Sequence, residues 1–235
     1  MENILDTHVT IYEGQNQYDY DNNIILNWYP YRIIRHTQNA KSILELGIGH
    51  GFTAEIFSKY FNRHVVLEGS SAVIENFKKQ FPHCTPEIIE TYFEKFEVIV
   101  MGFILEHVDD PLQIINHFKS FLAPGGKMFI TVPNAEALNR RLGYYAGLLT
   151  DLQLLSENDI ISGHKRYYTV LSLTEEIKSA GFEVEKLEGI YLKPFTTKQM
   201  MSLEFEKKII DALCTAGINY PELSLGIMAM VKEVK

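Results

Sequence analysis

Two carboxylates and a run of glycines stand at spacings that could do chemistry. Ser42 to Leu46 is a short apolar run, the pattern of a buried strand. It leads through Glu45-Leu46-Gly47-Ile48-Gly49-His50-Gly51 into a helix expected from about Phe52. Glycines at a strand-to-helix turn permit positive φ and let a ligand approach the backbone closely. A second apolar run, His64 to Leu67, ends in Glu68. Its distance from the glycines is close to the roughly 20 residues at which an acid meets ribose hydroxyls in dinucleotide-type sites. The glycines run G-x-G-x-G, and Glu45 precedes them by two residues. A carboxylate there would repel a pyrophosphate, which disfavours an NAD-linked oxidoreductase. It suits a ligand that carries positive charge. The plainer alternative is a tight turn in an unrelated α/β protein.

Other residues could act on a second ligand. Histidine is the usual base near neutral pH. His107 follows the fourth expected strand, and His164 lies in a polar, aromatic stretch. The alternative for His107 is packing, or capping the helix that starts near Pro111. His8, His36, His50, His64, His83 and His117 carry no such expectation, although His50 must lie close to any ligand of the glycine turn. Arg140, Arg141, Lys165 and Arg166 concentrate positive charge in a chain of net charge −8. If they converge they would bind an anion and would hold His164 neutral; otherwise they form a solvated helix face. Tyr12, Tyr18 and Tyr20 could cover a ligand or simply pack.

Alternating strands and helices must position these groups. Strands are expected at 42–46, 64–68, 85–89, 96–101, 126–132, 182–192 and 224–231. Helices are expected at 22–36 (interrupted by Pro30), 52–60, 70–80, 111–122 and 173–180. Ala123-Pro124-Gly125-Gly126 reads as a turn. Residues 134–168 and 194–222 read as mostly helical insertions, and residues 1–40 as an N-terminal cap on a single domain. Such alternation implies a parallel sheet with helices on both faces.

Composition excludes some classes. With 235 residues the chain can bury a sizeable core. The acidic balance argues against sequence-independent nucleic-acid binding. No apolar run is long enough for a membrane span, and the N-terminus lacks a signal-peptide profile, so a cytoplasmic location is expected. Cys84 and Cys214 have no metal-type spacing and are expected to be buried thiols. No metal cluster is visible in the sequence.

Three further motifs support a family resemblance. Phe96-Glu97-Val98-Ile99 leads to Leu105-Glu106-His107-Val108-Asp109-Asp110-Pro111. Leu122 to Lys127 reads L-A-P-G-G-K. His164-Lys165-Arg166-Tyr167-Tyr168-Thr169 is followed by Ala180-Gly181-Phe182. With the glycine turn, these resemble the class I S-adenosylmethionine-dependent methyltransferases, near the ubiquinone-methyltransferase branch, over about residues 40–192. Glu97 departs from the family's Asp.

The resemblance implies a Rossmann-like α/β fold: a seven-stranded, mostly parallel sheet with its last strand antiparallel and helical lid insertions. It implies S-adenosylmethionine held by Glu45, Gly47, Gly49, Gly51, Glu68, Gly69, Gly102 and Phe103. The adenine contact would come from the 85–95 region, where Glu90, Thr91 and Tyr92 are candidates. His164 and His107 become candidate bases. Tyr12, Tyr18, Arg140, Arg141, Lys165 and Arg166 become candidate acceptor contacts. The implied reaction is methylation of a small molecule, on the oxygen of a sugar-like or anionic metabolite, as in surface-polysaccharide chemistry. Alternatives are transfer to nitrogen or a phosphoryl group, and a non-catalytic cofactor-binding subunit.

Overall fold

The computed structural model describes residues 19–89 and 94–234. The chain begins with α1 (Asp19–Leu26) and α2 (Tyr29–His36). The alternating part follows: β1 (Ser42–Leu46), α3 (Phe52–Phe57), β2 (Arg63–Leu67), α4 (Ser71–Gln80), β3 (Glu87–Ile89), β4 (Phe96–Gly102), α5 (Pro111–Lys119) and β5 (Leu122–Pro133). Then come α6 (Leu138–Tyr145), α7 (Glu157–Ile161), α8 (Val170–Ser179), β6 (Phe182–Ile190), α9 (Thr197–Ser202), α10 (Lys207–Gly217) and β7 (Gly226–Glu233).

The seven strands form one sheet in the order β3-β2-β1-β4-β5-β7-β6. Strands β1 to β5 pair in parallel, whereas β7 runs antiparallel to both β5 and β6. This is the expected Rossmann-like arrangement. The strands are apolar on both sides because helices cover both faces. Leu44, Leu46, Ile99, Met101 and Ile130 pack with Ile115, Phe118, Leu173 and Ile177 of α5 and α8. Their alternate neighbours Ile43, Val98, Val100 and Phe129 pack with Ile25, Tyr29 and Ile33, and with Met200 and Cys214. Each fully buried side chain of this size contributes about 1.5–3 kcal/mol. Among the described residues, no helix is long and apolar enough to cross a membrane.

Several boundaries differ from the sequence expectations. Pro30 does not interrupt a helix; it opens α2, where its missing N–H costs nothing. The break falls just before it, at Asn27–Trp28. Helix α5 stops at Lys119, and β5 already begins at Leu122. The expected Ala-Pro-Gly-Gly turn is instead an irregular stretch of that strand, with a register shift against β4 and Gly125 at φ 76°. Glu97, the departure from the family pattern, is exposed and accepts from the Lys41 and Ser42 amides at 2.6 and 3.1 Å. It anchors the start of β1, at the edge away from the glycine turn. Cys214 is buried as expected, but Cys84 is only half-buried beside Ser58.

One ion cluster ties α2 to the distant strand β6. Arg32 donates two 2.8 Å hydrogen bonds to the Glu188 carboxylate, and His36 and Lys186 each approach it at 2.9 Å. Burial alone would raise the Glu188 pKa; the bonds from Arg32, Lys186 and His36 outweigh it and hold it at about 2. The resulting stabilisation is present above the ordinary carboxylate pKa and is lost as pH falls toward 2. Arg32→Met leaves a buried carboxylate short of its main partner. It should cost ~3 kcal/mol in denaturant unfolding at neutral pH, with a smaller loss near pH 3. A change below ~0.5 kcal/mol would show that the cluster behaves as an exposed ion pair.

Candidate functional site

The strand order reverses between β1 and β4, so the loops leaving their carboxyl ends diverge and open a crevice, where ligands bind in open α/β sheets. A cavity of about 1320 Å³ occupies this edge. Its wall runs from Glu68 after β2, through Glu45 to His50, to the 102–110 loop after β4. It continues through Pro133, Asn134, Asn139 and Arg140 to Lys193 and Thr197 beyond β6, with α7 and His164 over it.

The glycine turn forms the first part of this wall. Gly47, Gly49 and Gly51 have φ of 76°, 51° and 80°, a region costly for other residues. Gly47 donates its N–H to the Leu67 carbonyl at 2.8 Å, tying the turn to β2. Gly51 is not in the wall; a Cβ there would stand 2.6 Å from the Phe77 ring, so its role is packing. Glu68 follows β2, its carboxylate accepting from the Ile48 amide at 3.0 Å and the Ser70 amide at 2.8 Å. These bonds fix it on the rim with lone pairs left for two hydroxyls. Gly69 lies outside the wall, whereas Gly102 and Phe103 are in it. Phe103 has φ 56°, and its amide donates to the Thr131 carbonyl at 2.9 Å. Thr91, Tyr92, Tyr12 and Tyr18 lie outside the described residues.

Glu45 is buried beneath the turn. It accepts from Thr53, and the His64 ring nitrogen Nε2 lies 2.9 Å from its other oxygen. His64 is therefore part of the ligand cradle's foundation, a role its place in an apolar strand did not suggest. His50 does reach the cavity, 3.5 Å from Asp19.

Above β4 the structure gathers acidic and imidazole groups. Glu106 is 1% exposed, and both carboxylate oxygens lack a hydrogen-bond partner. Burial pushes its pKa up to about 7, against the pull of His164. The His107 and His164 rings meet edge to face, centroids 4.7 Å apart. His107 does not cap α5: Asp110 does, accepting from the Gln113 amide at 2.9 Å. His164 Nδ1 faces Asp159 Oδ1 at 3.2 Å, an ion-pair distance rather than an aligned hydrogen bond. Asp159 is held in turn by Ser156 and by the Tyr167 hydroxyl at 2.8 Å. Burial would raise the Asp159 pKa, but His164 and the bonds from Ser156 and Tyr167 hold it well below the usual carboxylate range. Glu106, His107 and His164 also place one ligand-type atom each within 4.8 Å of one another, a group of the kind that can hold a metal ion. No local pattern marks it, because the chain separates Glu106 from His164 by nearly sixty residues.

The expected cluster of unpaired cations does not exist. Lys165 pairs with Asp109 at 2.5 Å, and Arg141 with Glu136 at 3.2 Å. Arg140 donates to the carbonyls of Ala135, Leu152 and Leu154 and stacks on Tyr167. Arg166 donates to the Val108 and Asp109 carbonyls. The four side chains pin the 134–168 segment to itself and to the β4 loop. Only Arg140 and Lys165 reach the cavity wall. His164 faces a carboxylate, not cations.

A doubly wound sheet with a glycine turn after β1 and an acid after β2 is the arrangement at which nucleotide-type ligands bind in open α/β sheets. The comparisons carry this further. Residues 14–187 match the family model described as a methyltransferase domain. The chain belongs to this methyltransferase family, and its fold and relatives make it a class I S-adenosylmethionine-dependent enzyme. A probable S-adenosylmethionine-dependent methyltransferase of Mycolicibacterium smegmatis is 25% identical over 166 residues, 68% of this chain and 59% of that protein. The ubiquinone biosynthesis O-methyltransferase of Parvibaculum lavamentivorans is 27% identical over 185 residues, covering 73% and 70%. Among solved structures, a possible histamine N-methyltransferase of Thermotoga maritima superposes with TM-score 0.66 at 14% identity, covering 99% of this chain and 100% of that one.

Removing the Glu106 charge should separate its role from the fold. Its folded pKa lies above the unfolded one, so between pH 4.5 and 7 the native state binds the extra proton and stability falls as pH rises. Glu106→Gln should raise stability at pH 8 by up to ~3 kcal/mol and flatten this slope in pH-dependent denaturant melts. An unchanged slope would mean Glu106 is solvated in the native protein.

Proposed function

We propose that the chain methylates a hydroxyl group of a small neutral, sugar-like molecule. S-adenosylmethionine supplies a methyl group on a sulfonium, with a neutral thioether as leaving group. The chain's part is to align the acceptor and remove its proton. Glu68 would accept from the two ribose hydroxyls, and Gly47 and Gly49 would let the cofactor lie against the backbone. His164, oriented by Asp159 through Nδ1, takes the acceptor proton on Nε2 as the oxygen–methyl bond forms. His107 packs against His164 and Glu106 lies below them. The observation that carries this reading is the Asp159–His164 pair at the carboxyl edge of β4, inside the same cavity as the glycine turn. The names of the O-methyltransferase relatives support transfer to oxygen. The satisfied cations favour a neutral acceptor over an anionic one.

The three ligand-type atoms of Glu106, His107 and His164 favour one second reading. A divalent cation held there would activate the acceptor hydroxyl in place of a base. Rate loss on chelator treatment, restored by added magnesium or zinc, would establish it.

Two variants test the proposal. Glu68→Ala should weaken S-adenosylhomocysteine binding by ~1.5–3 kcal/mol for each ribose hydrogen bond lost; unchanged affinity in calorimetry would remove Glu68 from the site. His164→Ala should lower kcat by roughly 100-fold with that affinity kept. A full-rate variant would exclude His164 as the base.

A further inference from the structure

The cavity wall holds a second polar group, to which the proposed reaction assigns no role. Lys193 follows β6, Thr197 opens α9, and Asp21 lies in α1; all three are buried and line the cavity. Lys193 Nζ donates to Asp21 Oδ2 at 2.5 Å and to Thr197 Oγ1 at 2.6 Å. Thr197 donates to the same Asp21 oxygen at 2.5 Å. The other oxygen, Asp21 Oδ1, has no partner although the side chain is only 9% exposed. Nearby in the fold, the Asn139 amide donates to the Lys193 carbonyl at 3.2 Å, and Asn139 Oδ1 also lacks a partner.

A buried carboxylate oxygen without a donor is costly and calls for an explanation. Ammonium has three N–H groups, and Lys193 donates two of them within this cluster. The cluster thus presents an acceptor and a donor side by side, on an ion pair whose charges cancel. A cation would meet Lys193, and an anion would meet Asp21. A neutral group carrying a donor and an acceptor on adjacent atoms satisfies both.

We infer that Asp21, Lys193 and Thr197, with Asn139, form a subsite for a vicinal diol of the acceptor, other than the hydroxyl that is methylated. This rests on the methyl-transfer reading above and deepens it. The diol would be fixed here while the reacting hydroxyl meets His164.

The test uses the full chain saturated with S-adenosylhomocysteine and saturation-transfer NMR. The probes are methyl α-D-mannopyranoside, with its vicinal diols, and choline, inorganic phosphate and acetamide as cationic, anionic and amide alternatives. The mannoside should receive saturation, and the others should not compete with it. Lys193→Met alone leaves Asp21 buried and unpaired and could unfold the chain. The double variant Asp21→Leu/Lys193→Met removes both charges together, and retained S-adenosylhomocysteine binding confirms its fold. It should lose at least tenfold in mannoside affinity, as should Thr197→Val to a smaller degree. Absent mannoside binding, preferred binding of any other probe, or unchanged mannoside affinity in the folded double variant would overturn the subsite. Failure of the methyl-transfer reading looks different: the unaltered chain would transfer no methyl group from S-adenosylmethionine to any hydroxyl acceptor while mannoside binding stayed intact.

Discussion

The parallel register of β1 between β2 and β4 is the constraint on which the rest depends. Leu46 stands level with Leu67 on one side and Met101 on the other. This brings the glycine turn, Glu68 and the Gly102–Asp110 loop to one edge at the same height. Because side chains alternate, a one-residue slip would turn each buried strand residue to the opposite face. Two helical layers packed on the two faces therefore enforce the register. The site inherits its geometry from core packing.

The chemistry is divided between the two sides of the point where strand order reverses. Toward β2, the wall is backbone and fixed carboxylates, suited to a nucleoside. Toward β6, it is side chains from α1, α6, α7 and the loop after β6. These elements are separate in the chain and are held by contacts such as Lys165 to Glu106 and Arg140 to the Leu152 and Leu154 carbonyls. A cofactor site built on strand ends can stay constant while loop elements vary the acceptor.

The cations of the 134–168 segment show how charge composition misleads. In a net acidic chain, four basic residues in one insertion look like an anion site. In the structure each side chain spends its donors on a carbonyl or a local carboxylate. Planar guanidinium groups bridge several carbonyls at once, so Arg140 and Arg166 serve as struts. The acidic groups of the cavity, Glu106 and Asp21, are the ones left with unpartnered oxygens.

The sequence alone determined the fold class, the glycine turn and its two acids, because these depend on local spacing: glycine φ, strand alternation and the position of an acid after a strand. It also placed His107 and His164 in loops at the right edge. Only tertiary structure decided what surrounds them. The Asp159–His164 pair was half legible, since Ser156-x-x-Asp159 marks a capping box but not the histidine it faces. The burial of Glu106 and the Asp21–Lys193–Thr197 cluster were not legible, because their partners lie up to 176 residues apart in the chain. Burial and orphaned hydrogen-bonding atoms belong to the packed molecule. They arise when distant segments exclude water together, and no local pattern records them.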